Sequence, residues 1–396
     1  MSLKIVLRVT FAFLAFCTAS FAQVPRFGHV IIVVEENTSY KSVIGSSAMP
    51  YLNRLANQYG LATNYYANTH PSIGNYLMLT TGEVVTNKDQ FGDVVDVDNI
   101  VREFVSAGRT WKCYAESLPS IGYVGGDVYP YIKHHNPFAY LTDVVNSPTQ
   151  KQNVVPFSQF ASDLGGARLP DYSFIVPNNQ DNAHDCPAGM TTCTATDKLA
   201  NADSWLQTNL GPLVNSATFQ ADGLLVILFD EASPADTTNG GGHIAAVIVS
   251  PKIKSSAYRG RDFYQHQNLL RLTAVGLGLT SFPGSSAFVS DMAQFFGTPS
   301  FDCPVSSSNT AAVSICTPSN GTTLTSPMRV FASIGMNNSI ASVQLFVDGV
   351  VTVLPVSNRV NRQVDLTQGS HVLTVQATDN KNVTASSSII TNIVPK

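Results

Sequence analysis

The sequence predicts an α/β fold, a mostly parallel sheet sandwiched by helices, followed by a smaller all-β, immunoglobulin-like sandwich. Three observations carry this expectation. From Phe27 to about Asp302, short apolar runs alternate with segments of helical period, the pattern of a parallel sheet covered on both faces. Two of the runs stop abruptly at acidic residues, one at Glu35-Glu36-Asn37 and the other at Asp230-Glu231. Near Pro304 the helical period disappears, and short alternating strands with turn residues between them take over.

Taken in order, strand-like runs fall at residues 29–34, 110–114, 172–176, 224–229 and 244–250. Short continuous apolar runs bounded by polar residues suit buried parallel strands. Between them, residues 49–59 place Met49, Leu52, Leu55, Ala56 and Tyr59 on one helical face, and residues 98–107 do the same with Ile100, Val101, Phe104 and Val105. Residues 266–277 and 291–296 also read as helical. A polar linker is expected at 304–311, and residues 312–396 make the second unit. Its clearest signal is Asp348-Gly349 between the apolar stretches 342–347 and 350–354, a hairpin signature.

The composition excludes some classes. With 44% hydrophobic and 13% charged residues the chain is globular. A net charge of -4 without a basic cluster argues against nucleic acid as a partner. Residues 1–22 read as a signal peptide. Lys4 and Arg8 are followed by an apolar stretch and by Ser20-Phe21-Ala22. The stretch is shorter than the ~20 residues that span a bilayer, and no later segment is long enough. Loss of its two positive charges takes the net charge from -4 to -6. The expected location is secreted or periplasmic, where disulfides form. Cys186 and Cys193 enclose a short loop and are the expected bridge, Cys303 with Cys316 is a second pairing, and Cys113 is expected to be a free buried thiol.

Four constellations could carry chemistry. In Glu35-Glu36-Asn37, neighbours at a strand end point to opposite sides, so one glutamate faces a site, and Glu36 with Asn37 is the favoured metal-ligating pair. Ligands of open α/β sheets bind beyond the carboxyl ends of strands, and these are hard oxygen donors. Asp230 and Glu231 complete such a set. In the segment THPSIGNY, Pro71-Ser72 reads as a helix start. The Ser72 hydroxyl would lie near unpaired N–H groups suited to a phosphate, where a metal would activate it as a nucleophile. In KHHNPF, Lys133, His134 and His135 form a compact cluster able to hold phosphate oxygens or to protonate a leaving group. In VPNNQDNAHD, Asn178, Asp181 and His184 follow a strand. His184 suits a general acid or phosphate ligand, with Asp181 to orient it. Gly240, Gly241 and Gly242 permit close backbone approach before His243, a further substrate-binding candidate.

Together, VVEENTSY, THPSIGNYLMLTTG, TWKCYAE, KHHNPF, PNNQDNAHD and LFDEA, in this order over residues 27–296, resemble the phosphoesterase family of bacterial and fungal acid phosphatases and non-haemolytic phospholipases C, within the alkaline phosphatase-like superfamily. The resemblance implies one site at the strand ends, with Ser72 as nucleophile and one divalent metal ion on Glu36, Asn37, Asp230, Glu231 and the Ser72 oxygen. It also implies phosphate contacts from His134 or His135 and from His184. Oxygen ligands favour calcium, magnesium or manganese. Gly74 stands where many relatives have Pro, which suggests a looser turn. The absence of the large insertions of the phospholipases points to an acid phosphatase acting on phosphomonoesters through a phosphoseryl intermediate. A phospholipase C-type phosphodiesterase is the alternative. A second is a non-enzymatic surface-binding protein, in which the C-terminal sandwich contacts a polymer or cell surface.

Overall fold

The computed structural model describes residues 24–296, 311–326 and 328–394. The expected signal peptide, Cys303 and nearly all of the expected linker lie outside the described residues. Two units are present, each with its own hydrophobic core.

The first unit is built on an eight-stranded sheet. Its strands are β1 (His29–Glu35), β2 (Gly60–Ala62), β3 (Trp111–Ala115), β4 (Val154–Pro156), β5 (Tyr172–Val176), β6 (Gly223–Phe229), β7 (Ala246–Val249) and β8 (Tyr258–Gly260). Their spatial order is β4-β3-β5-β1-β6-β7-β2-β8. All pairings are parallel except those of β7 with β6 and β2. β1 and β6 are central, and their apolar residues are buried throughout. Burial of each such side chain is worth about 1.5–3 kcal/mol. This offsets the cost of the acidic residues at the strand ends, where Glu35, Glu36, Asp230 and Glu231 are all buried.

Helices cover the sheet. Pro50–Gln58 buries Leu52, Leu55 and Ala56 as expected; Ile100–Ala107 buries Ile100, Val101 and Phe104 but leaves Val105 exposed, and His266–Leu277 starts and stops as its sequence predicts. Residues 291–296 differ. Met292 takes a left-handed conformation (φ 59°), and only a 3-10 turn, Ala293–Phe295, follows. The longest helix, Ala195–Val214, opens with a capping box between Thr194 and Asp197. The helix Ser72–Thr81 has all ten residues buried and packs against His266–Leu277. Phe174 of β5 lies edge-on to Phe138 at 5.4 Å and to Tyr76 at 6.4 Å. Phe174→Ala should therefore cost about 3–5 kcal/mol, read as a lower urea midpoint; a loss below about 1 kcal/mol would show that this contact does not hold the first unit together.

The second unit pairs a five-stranded sheet with a three-stranded one. At its hairpin, Ile340–Val347 turns through Asp348 (φ 49°) and Gly349 (φ 83°) into Val350–Leu354. Positive φ at both central residues is the turn that matches strand twist, and Asp-Gly adopts it readily. Cys186 and Cys193 form a disulfide, and Cys113 is free and buried. Among the described residues, no helix is long and apolar enough to cross a membrane.

Candidate active site

β1 and β6 pair in register from His29 opposite Gly223 to Glu35 opposite Phe229. The strands end level, so Glu36 and Asp230 leave the sheet side by side. The turn after β1 places Asn37 in the left-handed region (φ 48°), and its N–H donates to Asp230 Oδ1 at 3.0 Å. Glu36 faces the Ser72 helix. Its Oε2 accepts from Ser72 Oγ at 3.2 Å and its Oε1 from the Tyr76 hydroxyl at 2.7 Å. Ser72 and Tyr76 are four apart and so share a helix face. His135 Nε2 lies 3.2 Å from Glu36 Oε1, and its ring stacks on Tyr76.

Pro71 occupies the N-cap position, and Ser72 is the first helical residue. The Ser72 hydroxyl does not cap the helix; it points to Glu36. Behind it, Gly241 N–H donates to the Ala67 carbonyl and Ala67 N–H to the Gly242 carbonyl. A Cβ at Gly240 or Gly241 would collide with the Asn68 or Thr69 carbonyl. The glycine run thus docks directly on the backbone that leads into Ser72. Gly74 does not loosen a turn. It lies inside the helix, and a Cβ there would collide with Thr69 and Asn87.

The site disfavours its own negative charge. Burial pushes the Glu36 carboxyl well up from the usual range, and Asp230 adds to this; the bonds from Tyr76 and Ser72 pull it back. Burial likewise raises Asp230 to about 6, against the Asn37 N–H and Ser72. Burial, Asp230 and Asp89 raise Glu231 to about 9. Two buried atoms beside these groups have no partner, Asn37 Oδ1 and Asp230 Oδ2. Buried oxygens without donors, set beside carboxylates that resist ionisation, fit a hard divalent cation. Glu36, Asn37, Asp230 and the Ser72 oxygen are the donors that suit it. Among the described residues, no three His, Cys, Asp or Glu side chains group closely enough to hold an ion without such help from amide or hydroxyl oxygens.

The histidines separate into two roles. His135 is buried, with its pKa pushed well down by burial and then by His134 and His184. It lies against Glu36 and stands behind it in the buried part of the site. His134 packs edge-to-face on His135 and lies within the electrostatic reach of His184. Burial lowers its pKa. His184 is 40% exposed, and its Nδ1 lies 2.7 Å from Asp185 Oδ1. It also lies within electrostatic reach of Asp230.

The four residues expected to bind substrate, Lys133, Asn178, Asp181 and His243, each make contacts within the protein. The Lys133 ammonium lies over the Tyr140 ring at 4.3 Å. Asn178 spends its side chain on Ser117 and on the Gln180 N–H, building its own turn. Asp181 accepts from Asn201, and Asp185, not Asp181, orients His184. The reason is local: Ala183 at φ 71° reverses the chain and brings the adjacent carboxylate onto the ring. His243 is stacked between Tyr40 at 4.3 Å and Tyr66 at 4.9 Å. Glu231 sits beside Asp230 with one oxygen 2.9 Å from His70 Nδ1 and the other accepting from Asn75. Glu35 faces the far side of the sheet. Its pKa is raised by burial and then by Asp181, Glu116 and Asp203. Sequence reasoning missed Tyr76, Asn75 and His70, and gave the orienting role to Asp181 where Asp185 holds His184. The four-residue spacing of Ser72 and Tyr76 was the available signal for the first.

A profile of the Phosphoesterase family matches residues 46–275, and one of a bacterial Ig domain matches residues 312–375. The phosphatidylinositol-3-phosphatase of Mycobacterium tuberculosis is 31% identical over 251 residues, spanning 63% of this chain and 76% of that protein. The probable acid phosphatase of Kluyveromyces lactis is 30% identical over 255 residues, and the acid phosphatase of Aspergillus fumigatus 28% over 257. The chain spans only 56% and 54% of these two fungal relatives. A solved alkaline phosphatase superfamily protein from Vibrio parahaemolyticus shares the fold, with a TM-score of 0.50 and 10% identity over 92% of this chain and 83% of that one. The profile match runs through Ser72, His134, His184 and Asp230; the chain belongs to the Phosphoesterase family and is a hydrolase acting on phosphoric ester bonds.

Proposed function

We propose that this protein is a secreted, divalent metal-dependent acid phosphatase that cleaves phosphomonoesters through a phosphoseryl intermediate. One observation carries the reading: the Ser72 hydroxyl donates to a buried Glu36 in a pocket where Asn37 Oδ1 and Asp230 Oδ2 lack partners. The names of the relatives, acid phosphatases and a phosphatidylinositol phosphatase, agree with a monoester. Export is supported by the signal-like composition of residues 1–22 and by the Cys186–Cys193 disulfide. The C-terminal Ig-like unit is the candidate for contact with a polymer or cell surface.

When bound, a divalent cation would polarise the phosphate and favour the ionised Ser72 oxygen. Glu36, Asn37, Asp230 and Ser72 would hold it. Ser72 Oγ attacks phosphorus in line, an Oγ–P bond forms, and the bond to the leaving oxygen breaks. The Ser72 proton passes towards Glu36, which already accepts it as a hydrogen bond. His184, held by Asp185, gives a proton to the leaving oxygen. Water then attacks phosphorus, His184 takes its proton, and as the Oγ–P bond breaks the Ser72 oxygen takes back the proton held at Glu36. His134 flanks the phosphate from the same side as His184. His135 and Tyr76 keep Glu36 in place.

The test compares esters and leaving groups. The enzyme should hydrolyse p-nitrophenyl phosphate at least about 10-fold faster than p-nitrophenyl phosphorylcholine; the reverse order would replace the monoesterase reading with the diesterase one. His184→Asn should lower kcat about 10²–10⁴-fold on glycerol phosphate. The loss should be much smaller on p-nitrophenyl phosphate, whose leaving group departs without a proton. Equal losses on both would remove His184 as the acid.

A further inference from the structure

We propose that Asp89 sets how weakly the active site holds inorganic phosphate, the product it must release; this rests on the phosphomonoesterase reading above. The first N–H groups of a helix have no carbonyl to donate to, and together they make a positive end that favours anions. In the Ser72 helix that end is left open from within. Pro71 at the N-cap supplies no side-chain cap, and the Ser72 hydroxyl turns to Glu36. A carboxylate from another part of the chain fills the gap. The Ile73 N–H, one residue beyond the attacking hydroxyl, donates to Asp89 Oδ1 at 3.2 Å. A phosphate bound at a helix start takes such N–H groups with its own oxygens. Asp89 thus puts a resident anion on a donor suited to a phosphate at Ser72.

The loop holds Asp89 in this place. Phe91 N–H donates to the Lys88 carbonyl at 2.8 Å, which closes a turn around Asp89, and the Phe91 ring lies 6.0 Å from that of Tyr140. Val95 N–H donates to the Tyr140 carbonyl at 2.8 Å. Tyr140 belongs to the same segment as His134 and His135, so the loop is fastened to a wall of the site. The helix makes room for it at Gly74, where a Cβ would collide with the Asn87 side chain. The Asp89 carboxylate is half-buried and lies within electrostatic reach of both His134 and Glu231. It therefore stands over the site and not outside it. While it remains, phosphate must displace it or sit beside a like charge, and either lowers affinity. Binding that is equal for substrate and transition state adds nothing to kcat, so a seat that lets phosphate go costs the chemical step nothing. A helix cap acts through its acceptor oxygen alone, whereas a competitor of phosphate acts through its charge.

The test uses the full chain with Mn²⁺ present, and inorganic phosphate both as titrant in calorimetry and as inhibitor of p-nitrophenyl phosphate hydrolysis. Asp89→Asn keeps an oxygen for the Ile73 N–H and removes the charge. It should bind phosphate at least about 10-fold more tightly than the parent, with the inhibition constant falling in step. Asp127→Asn is the control. Asp127 is also within reach of His134, but it is exposed and accepts from the Lys133 N–H, so its removal should change phosphate affinity less than about 3-fold. Equal or weaker phosphate binding in Asp89→Asn would reduce Asp89 to a helix cap and overturn the proposal. So would an equal gain in Asp127→Asn, which would make the effect one of general charge at the mouth. Should Asp89→Asn not fold, Asp89→Ala, which frees the Ile73 N–H altogether, is held to the same gain. Calorimetry needs no turnover. A parent that binds phosphate but leaves p-nitrophenyl phosphate intact would overturn the phosphomonoesterase reading and leave Asp89 to be judged on affinity.

Discussion

Replacing Ser72 with alanine should lower kcat by about 10⁴-fold or more, the scale seen when a covalent nucleophile is removed and only binding and electrostatics remain. The fold should survive. Ser72 is buried and its hydroxyl donates to Glu36 Oε2, and Glu36 keeps Tyr76 as a donor and His135 beside it. Loss of one such bond costs about 1–3 kcal/mol, so the melting temperature should drop by only a few degrees. The decisive measurement is rapid-quench labelling with a ³²P-phosphomonoester. The parent enzyme should trap label on protein at low pH, and the alanine variant should trap none. A variant that retains more than a tenth of the activity would mean that water, not Ser72, is the attacking group.

Asp230→Asn should have the second largest effect, and its design shows why Asp230 is preferable to Glu36 for the purpose. Glu36 is surrounded by donors, the Ser72 and Tyr76 hydroxyls and His135 Nε2, so a glutamine amide would meet them with its own N–H groups and disturb the site for reasons unrelated to a cation. Asparagine at 230 can keep its oxygen on the Asn37 N–H, where Asp230 Oδ1 now sits, and puts an amide nitrogen only in place of the partnerless Oδ2. The turn should hold while the donor set is broken. Turnover at saturating Mn²⁺ should fall about 10³-fold, comparable to removing a principal charge-stabilising group. Exhaustive dialysis against a chelator should bring the parent enzyme to a similar level, and added Mn²⁺ should restore the parent but not the variant. Chelated parent enzyme at full activity would end the metal reading.

Much of this site was legible before any coordinates. The strand-end acids followed from apolar runs ending in carboxylates; the two-residue side-chain period put one glutamate on the site, and Asn37 at the following turn favoured Glu36, while Glu35 faces away. Ser72 at a helix start was legible from Pro71 before it. What could not be read was anything set by turn geometry or by packing of a ring. Asp181 and Asp185 are equally plausible partners of His184 on paper, and only the reversal at Ala183 decides between them. His243 and Lys133 carry useful chemistry as residue types, yet His243 is claimed by Tyr40 and Tyr66 from distant parts of the chain, and Lys133 by the ring of Tyr140. β2, β4 and β8 have three residues each, too few to display a period. Ala195–Val214 was hidden because its apolar positions are diluted by polar ones and Gly211-Pro212 near its end reads as a break.

The helix behind Ser72 has no solvent face at all. Every residue of that pedestal answers to the interior, so almost any exchange along it disturbs packing before it alters chemistry. Preference for one alcohol over another must therefore be written elsewhere, in the open ground around His134, Tyr129 and the partly exposed His184. A lineage descended from this enzyme can change its diet by rebuilding those loops, while the anvil on which every ester is broken stays the same.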